Sequence, residues 1–400
     1  MKYIVMLSDG MAGKPIPELH GMTTLEAAKT PMLDCLAKGA EIGLASMVPE
    51  GMAPGSDTAN LAVMGYDPKI YYTGRSPLEA LSIGVDMADT DVSYRCNIVT
   101  LSEEECAYED RTIIDHSSDE ISTKDAAVLI DALKEGLERE GYEFYVGTSY
   151  RHLLIQANGD MIDLVPPHDV LTQRIGDYLP KDAVLREMME KSFDILNNHP
   201  MNIERRAKGL HPANSAWFWG AGKKPALTSF EAQTGKRGVM ISAVDLLKGI
   251  AVGTGMKVVE VEGANGGLHT NYSGKMQAAA DALLKEDYDF AYVRIEAPDE
   301  MGHQGLINEK VQAIENIDKY VVGPLVKAMR EAKEDFRILI LPDHPTPIRV
   351  RTHTGGPIPY LLYDSTKVLG CHENYSEHTG KMSGCLISDG YQLIDYLLEN

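Results

Sequence analysis

The run Tyr3-Ile4-Val5-Met6-Leu7 contains no charged residue and ends at Ser8-Asp9-Gly10. A strand with one face in water alternates apolar and polar residues. A strand covered on both faces, as in a parallel sheet flanked by helices, reads as a continuous apolar run. The chain therefore starts inside an α/β sheet, and the later sequence repeats the theme. Thr30-Pro31 supplies a cap and a proline for a helix through Leu33, Leu36 and Ala37 to Gly39. Helices are expected over 239–251, 274–285, 308–333 and 389–398, and strands over 257–262, 289–295, 337–341 and 359–363. Gly323-Pro324 should break or kink the longest helix. Strands and helices alternating in this way specify a doubly wound sheet.

The middle of the chain has a different character. Ser93 to Val99 reads as a strand, followed by a polar, acidic segment to Asp115. Thr123 can cap a helix carrying Ala127, Ile130, Leu133 and Leu137, and strands follow at 143–147 and 152–156. A further helix spans about 184–196, and buried-strand text returns at Ser215-Ala216-Trp217-Phe218-Trp219-Gly220. A chain of 400 residues exceeds one compact core. The expected division is a core domain of residues 1–90 and 213–400 with an inserted α+β domain at 91–212.

Charge narrows the class of partner. Lys+Arg 38 against Asp+Glu 59 leaves a net charge of −21, the wrong sign for nucleic acid or an anionic membrane surface. An anionic small substrate would need a local cluster of arginines, and divalent cations would offset part of the acidity. The odd set Cys35, Cys96, Cys106, Cys371 and Cys385 has no CxxC pair, as expected of free thiols in a reducing compartment. No apolar run approaches a membrane span and no basic leader precedes the first strand, so the expected location is the cytoplasm.

Chemistry-bearing residues gather at strand ends. Asp9 follows the first strand, where ligands of α/β sheets bind. In Gly55-Ser56-Asp57-Thr58-Ala59-Asn60, Ser56 is suited to cap a helix running to Met64. A serine there lies where backbone N–H groups and the helix dipole favour a phosphate. The strand ending at Ile295 leads to Glu296-Ala297-Pro298-Asp299-Glu300-Met301-Gly302-His303, whose Asp299 and His303 share one helix face. The strand ending at Leu341 leads to Pro342-Asp343-His344-Pro345, and His353 follows. Taken singly, each has an ordinary structural use. Together, Asp9, Ser56, Asp299, His303, Asp343, His344 and His353 offer oxygen and imidazole ligands without thiolate, suiting Mn²⁺ or Zn²⁺ more than Mg²⁺. That number of ligands is natural for two metal ions, which could activate the Ser56 hydroxyl for in-line attack on phosphorus.

The strings PGSDTANLAVMGYDP, YYTGRSPLEA, WFWGAGKKP, GVMISAVDLLKGIAVGTGM, EAPDEMGH, PDHPTP and THTGGPIPY resemble the archaeal-type 2,3-bisphosphoglycerate-independent phosphoglycerate mutases of the alkaline phosphatase superfamily. The likeness runs essentially the length of the chain. It implies an alkaline-phosphatase-like core with an inserted substrate-binding cap. It also implies one metal on Asp9, Ser56, Asp343 and His344 and a second on Asp299, His303 and His353. Ser56 would then be the nucleophile that takes the phosphoryl group from 3-phosphoglycerate and returns it to the other hydroxyl. Retaining the glycerate calls for cations, and Arg95, Arg151 and His152 from the cap, with Arg75 from the core side, are the expected substrate contacts. The same scaffold leaves open a homoserine kinase-type phosphotransferase or a phosphomonoesterase. No Walker-type lysine loop is present to hold a nucleotide. Two departures from the family pattern bear on substrate identity. Arg294 stands where a histidine is expected, and Asn265 and His269 replace a threonine and an aspartate.

Overall fold

The computed structural model describes residues 1–398. The chain forms two compact units, Met1–Tyr72 with Ala226–Asn400 and Thr73–Pro225. In chain order the strands are β1 (Lys2–Ser8), β2 (Glu41–Ala45), β3 (Val92–Leu101), β4 (Ile113–Asp115), β5 (Tyr142–Thr148), β6 (Arg151–Gln156) and β7 (Ser215–Lys223). They continue with β8 (Gly238–Ile241), β9 (Lys257–Val258), β10 (Phe290–Ile295), β11 (Phe336–Leu341), β12 (Ile358–Asp364) and β13 (Leu386–Ile387).

The first unit holds an eight-stranded sheet in the order β13-β2-β12-β11-β1-β10-β8-β9. β1 pairs in parallel with both β10 and β11, and all three are buried along their length, as their apolar text requires. Only β12 runs against its neighbours β11 and β2. The carboxyl ends of β1, β10 and β11 therefore lie side by side, and the segment entering β12 starts from the same edge. Ile4, Met6, Val293, Ile295, Ile338 and Ile340 join apolar helix residues such as Leu36, Ala279, Leu283 and Ile314 in one core.

The second unit has a five-stranded antiparallel sheet, with β3 between β6 and β7, β5 beyond β6, and β4 on the end of β3. Helices Thr123–Leu137 and Ala183–Asn197 pack on it through Leu129, Ile130, Leu133, Met188 and Met189.

Several boundaries differ from expectation for identifiable reasons. The units meet at 72/73 and 225/226, not at 90/91 and 212/213. Ala80, Val85 and Met87 form a small cluster with Leu153 and Ile155, and Ser76 Oγ donates to the Ser93 carbonyl, which ties 73–90 to the second unit. The Trp217 segment is β7 of the second sheet and does not return to the first. Val239 to Ile241, expected as helix, makes up all of β8 but its first residue, and the helix begins only at Asp245. A short apolar run fits either element, and parallel pairing with β10 decides it here. The strand expected over 257–262 is reduced to β9. The helix of 308–333 is Ile307–Ile317, a π-helical turn Asp318–Val322, and Gly323–Glu331. Proline at 324 lacks an N–H, and the wider turn accommodates the loss. Ser122, not Thr123, caps its helix, accepting from the Asp125 N–H. No helix among the described residues is long and apolar enough to cross a membrane, and the five cysteines are free thiols.

One ion pair closes the far edge of the first sheet. Arg337 of β11 donates from Nε to Asp364 of β12 at 2.7 Å and from Nη1 to the carbonyls of Tyr396 and Leu397. Burial alone would raise the Asp364 carboxyl; hydrogen bonds from Thr366 and Arg337 outweigh it and hold it below its ordinary value. Arg337→Met leaves that buried carboxylate with only Lys367, 4.0 Å away, as a cation, and is expected to lower the unfolding free energy by about 2–4 kcal/mol at pH 7. A depressed carboxyl contributes stability above its unfolded pKa near 4 and loses it as pH falls. Urea titrations should therefore show the gap between the two proteins closing in acid; a constant gap would remove the pair from this role.

Candidate metal and phosphoryl site

The site grows out of the strand ends of the first unit. Asp9 follows β1 and is buried. Next to it, Gly10 adopts φ +57°, and a Cβ there would lie 2.5 Å from Asp299 Oδ1 and from Thr346 Oγ1. Only glycine lets the backbone pass so close, and the Gly10 N–H donates to Asp343 Oδ1 at 3.2 Å. Asp343 and His344 follow β11, both buried. Asp343 Oδ1 also accepts from the His344 N–H at 3.0 Å.

Ser56 opens the helix Ser56–Val63 as its first residue, and Gly55 occupies the cap position expected for the serine. The Ser56 oxygen is thus free of a capping bond and faces the cluster, 3.1 Å from His344 Nε2. One turn on, Asn60 Nδ2 donates to the Ser56 carbonyl at 2.7 Å and to Asp343 Oδ2 at 2.9 Å. Tyr292 of β10 donates to Asn60 Oδ1. Asn60 therefore fixes the serine-bearing turn against the aspartate.

Asp299 and His303 lie on the helix Ala297–Gln304 that leaves β10. His303 Nε2 is 3.2 Å from Asp299 Oδ2 and 3.0 Å from His353 Nε2. His353 Nε2 is 3.5 Å from Asp299 Oδ1, and its ring stacks on His344 with centroids 3.8 Å apart. All seven residues singled out in the sequence thus meet at one edge of the sheet. Ligand atoms of Asp9, Asp343 and His344 lie within 4.8 Å of one another, and so do those of Asp299, His344 and His353.

Burial raises Asp9 well above the carboxylate range, with Arg294 pulling the other way and Asp343 and Asp299 adding to the rise. Burial also acts to raise Asp343, but His344 and Arg294 overcome it and bring the group to about 2. Asp299 is likewise held low against its burial, through hydrogen bonds from His303 and His353. Asp9 Oδ1 has no hydrogen-bond partner although fully buried. An orphaned carboxylate oxygen among imidazole nitrogens is the donor set a divalent cation would complete, so these residues fit such an ion.

Four supporting residues carry no obvious mark in the sequence. Gly10, Asn60 and Thr346 act through contacts between distant segments, Thr346 Oγ1 donating to Asp299 Oδ1. Lys310 is buried, and its Nζ donates at 2.7 Å to the carbonyls of Gly10 and Thr346. Asn60 had one available signal, its place four residues after Ser56. Of the noted departures, Arg294 lies inside the cluster, whereas Asn265 and His269 are exposed in their loop.

The expected substrate residues belong to the second unit, Arg75 included, which corrects its assignment to the core side. Arg75 and Arg95 share Glu79 through ion pairs of 3.2 and 3.0 Å. The Arg95 guanidinium lies 4.2 Å over Trp219, and that of Arg151 lies 5.2 Å over Tyr150. His116 contacts Tyr150 and His168, and His168 contacts Trp219, edge to face. These aromatic and imidazole partners were absent from the sequence expectation. His152 is buried, and its Nδ1 accepts from the Gly147 N–H at 3.1 Å.

Comparison with known proteins identifies the relatives of this arrangement. Residues 37–202 match the family model described as 2,3-bisphosphoglycerate-independent phosphoglycerate mutase. The chain is 45% identical to the probable 2,3-bisphosphoglycerate-independent phosphoglycerate mutase of Geobacter sulfurreducens, over 100% of both chains. It is 48% identical to the enzyme so named in Methanosarcina acetivorans, over 91% of this chain and 90% of that one. The chain belongs to this family. Its fold matches the cofactor-independent phosphoglycerate mutase of Thermoplasma acidophilum with a TM-score of 0.67 at 27% identity, covering 100% of this chain and 99% of that one. The α/β sheet core expected of the family is the architecture described above.

Two outcomes follow from this geometry. Gly10→Ala forces a methyl group into Asp299 and Thr346 at a positive φ, and should cost about 1–3 kcal/mol of stability in denaturant titration. An unchanged midpoint would refute the close approach. At His152, burial pushes the imidazole down to about 3, with a hydrogen bond at Ser149 opposing and Arg151 adding to the fall. The unfolded chain takes up that proton below about pH 6.5, so the stability tied to neutral His152 is complete above that value and is lost as pH falls toward 3. His152→Gln should flatten the decline of unfolding free energy between pH 7 and 5; parallel profiles would count against a buried neutral ring.

Proposed function

We propose that this chain interconverts 3-phosphoglycerate and 2-phosphoglycerate, with Ser56 carrying the phosphoryl group between the two hydroxyls. The observation that carries this reading is the Ser56 Oγ at 3.1 Å from His344 Nε2, in the cluster with Asp9 and Asp343 at the edge of the sheet. The names of its relatives agree with it.

Asp9, Ser56, Asp343 and His344 would hold one divalent cation and Asp299, His303 and His353 a second, with Mn²⁺ the best match to mixed carboxylate and imidazole donors. When bound, such ions acidify a serine hydroxyl and neutralise phosphoryl oxygens. The protein's own part is orientation. Asn60 holds the Ser56 turn, the histidine rings lock one another by stacking and hydrogen bonding, and Lys310 with Gly10 keeps the strand-end loops together. In the first half-reaction the Ser56 Oγ–P bond forms while the bond from phosphorus to the C3 oxygen breaks, and the serine proton ends on that oxygen. In the second, the C2 hydroxyl takes the phosphoryl group, the Oγ–P bond breaks and the proton returns to Ser56. Nothing is consumed, as an isomerisation requires.

Arg75, Arg95 and Arg151 in the second unit supply the positive charge that a phosphorylated carboxylic acid needs, in a chain that is acidic elsewhere. His152, being buried, would act by shaping that surface. The free thiols accord with the reducing cytoplasm as the place of action.

The test is a coupled assay of the Mn²⁺-loaded protein with 3-phosphoglycerate and no bisphosphoglycerate, with homoserine plus ATP and net phosphate release as separate arms. Turnover is expected in the first arm, is expected to vanish on chelation, and should fall at least about 10³-fold in Ser56→Ala. Turnover that withstands both changes, or appears only in another arm, would overturn the proposal.

A further inference from the structure

Arg294 stands on β10 with its side chain 2% exposed, yet it reaches the reacting atom. Its Nη2 donates to Ser56 Oγ at 2.9 Å and to Asp9 Oδ2, and lies 3.5 Å from Asp343 Oδ2. The backbone behind it is held firmly. Buried Lys275 donates from Nζ to the Arg294 carbonyl at 2.9 Å and pairs with Glu296, whose Oε1 accepts from Ser242 Oγ and the Ala243 N–H. The guanidinium therefore projects from a rigid strand end into the cluster.

An arginine whose task was only to neutralise Asp9 and Asp343 would use its donors on them. Here one nitrogen serves both carboxylates and the serine, while Nε and Nη1 are buried with no hydrogen-bond partner. An unpaired buried donor is costly, and more so on a charged group. A fixed guanidinium whose Nη2 already donates to the nucleophilic oxygen, and whose hydrogen-bonding capacity the carboxylates leave unfilled, is placed to bind an anionic group formed at that oxygen.

We propose that Arg294 is a catalytic residue that binds the phosphoryl oxygens on Ser56, giving the site a permanent positive charge in addition to its metal ions. The assignment rests on Ser56 being the phosphoryl carrier. Charge supports it. Three carboxylates, Asp9, Asp299 and Asp343, against two divalent cations leave a single positive charge, and Arg294 brings the sum to +2, matching a dianionic phosphoryl group. The phosphorylated serine is thereby made less costly, and the planar, always-charged guanidinium does this without competing protonation.

Three variants of the full-length, Mn²⁺-loaded protein test it: Arg294→Lys, Arg294→Gln and Ser56→Ala. Orthovanadate affinity by calorimetry reads the phosphoryl pocket. Intact-protein mass after acid quench with 3-phosphoglycerate reads the fraction carrying a phosphoryl group. Mn²⁺ titration, circular dichroism and melting report the metal sites and the fold. Arg294→Gln should weaken vanadate binding at least tenfold and lower the phosphorylated fraction in proportion. Its Mn²⁺ affinity should stay the same or rise, because a competing cation has left Asp9 and Asp343. Arg294→Lys, which keeps the charge but loses the fork and is expected to fold, should fall between. Vanadate affinity and phosphorylated fraction unchanged in the folded variants would overturn the role of Arg294, as would a loss of vanadate binding fully explained by lost Mn²⁺. Full turnover in Ser56→Ala would instead overturn the carrier reading on which it rests.

Discussion

Three carboxylates at one sheet edge, Asp9 and Asp343 buried and Asp299 half-buried, cannot coexist without cations, and that requirement organises the rest of the first unit. Asp9 and Asp343 follow the ends of β1 and β11, and Asp299 lies on the helix that leaves β10, all three strands being buried along their length. Burial penalises each charge, and each neighbour adds repulsion. The protein answers unevenly. Asp343 has His344 and Arg294, Asp299 has His303 and His353, and both stay low. Asp9 has only Arg294 against two carboxylates and burial, and its carboxyl is raised. The residues alone thus leave a deficit of positive charge centred on Asp9, whose Oδ1 is also the unpartnered oxygen. A divalent ion would remove both the electrostatic and the hydrogen-bonding deficit.

The parts of this arrangement carried by strongly patterned text were legible in the sequence. Continuous apolar runs announce strands buried on both faces, so β1, β10 and β11 could be found, and the residues just past them are the site. His303 follows from helical spacing after Asp299. What could not be read is contact between segments far apart in the chain. Gly10 matters because Asp299 and Thr346 come within 2.5 Å of where its Cβ would be, which no local pattern encodes. Lys310 sits in a helix with an ordinary polar-apolar period, and only the fold shows its ammonium buried between two carbonyls.

The misplaced domain boundary has the same cause. Residues 73–90 contain turns and a short helix that could pack on either unit, and the deciding contacts are Ala80, Val85 and Met87 with Leu153 and Ile155, more than sixty positions away. Val239 to Ile241 is a similar case on a smaller scale. Its apolar text suits a helix, and the parallel register with Ala291 to Val293 makes it a strand. Local propensity proposes, and pairing across the sheet selects.

The position of Ser56 shows how the constraint reaches the nucleophile. A capping serine spends its oxygen on a backbone N–H of the first turn. Here Gly55 takes the cap position, and the serine moves one residue into the helix, so its oxygen is released toward Asp9, His344 and Arg294. The helix start keeps its positive dipole end, which favours negative charge at that place. Asn60, one turn later, bonds both the Ser56 carbonyl and Asp343, so the helix cannot rotate the serine away without breaking a contact to the carboxylate cluster. One exchange of glycine and serine roles at a helix terminus thus turns a common stabilising device into a half-buried, oriented hydroxyl beside buried Asp9, Asp343 and Arg294.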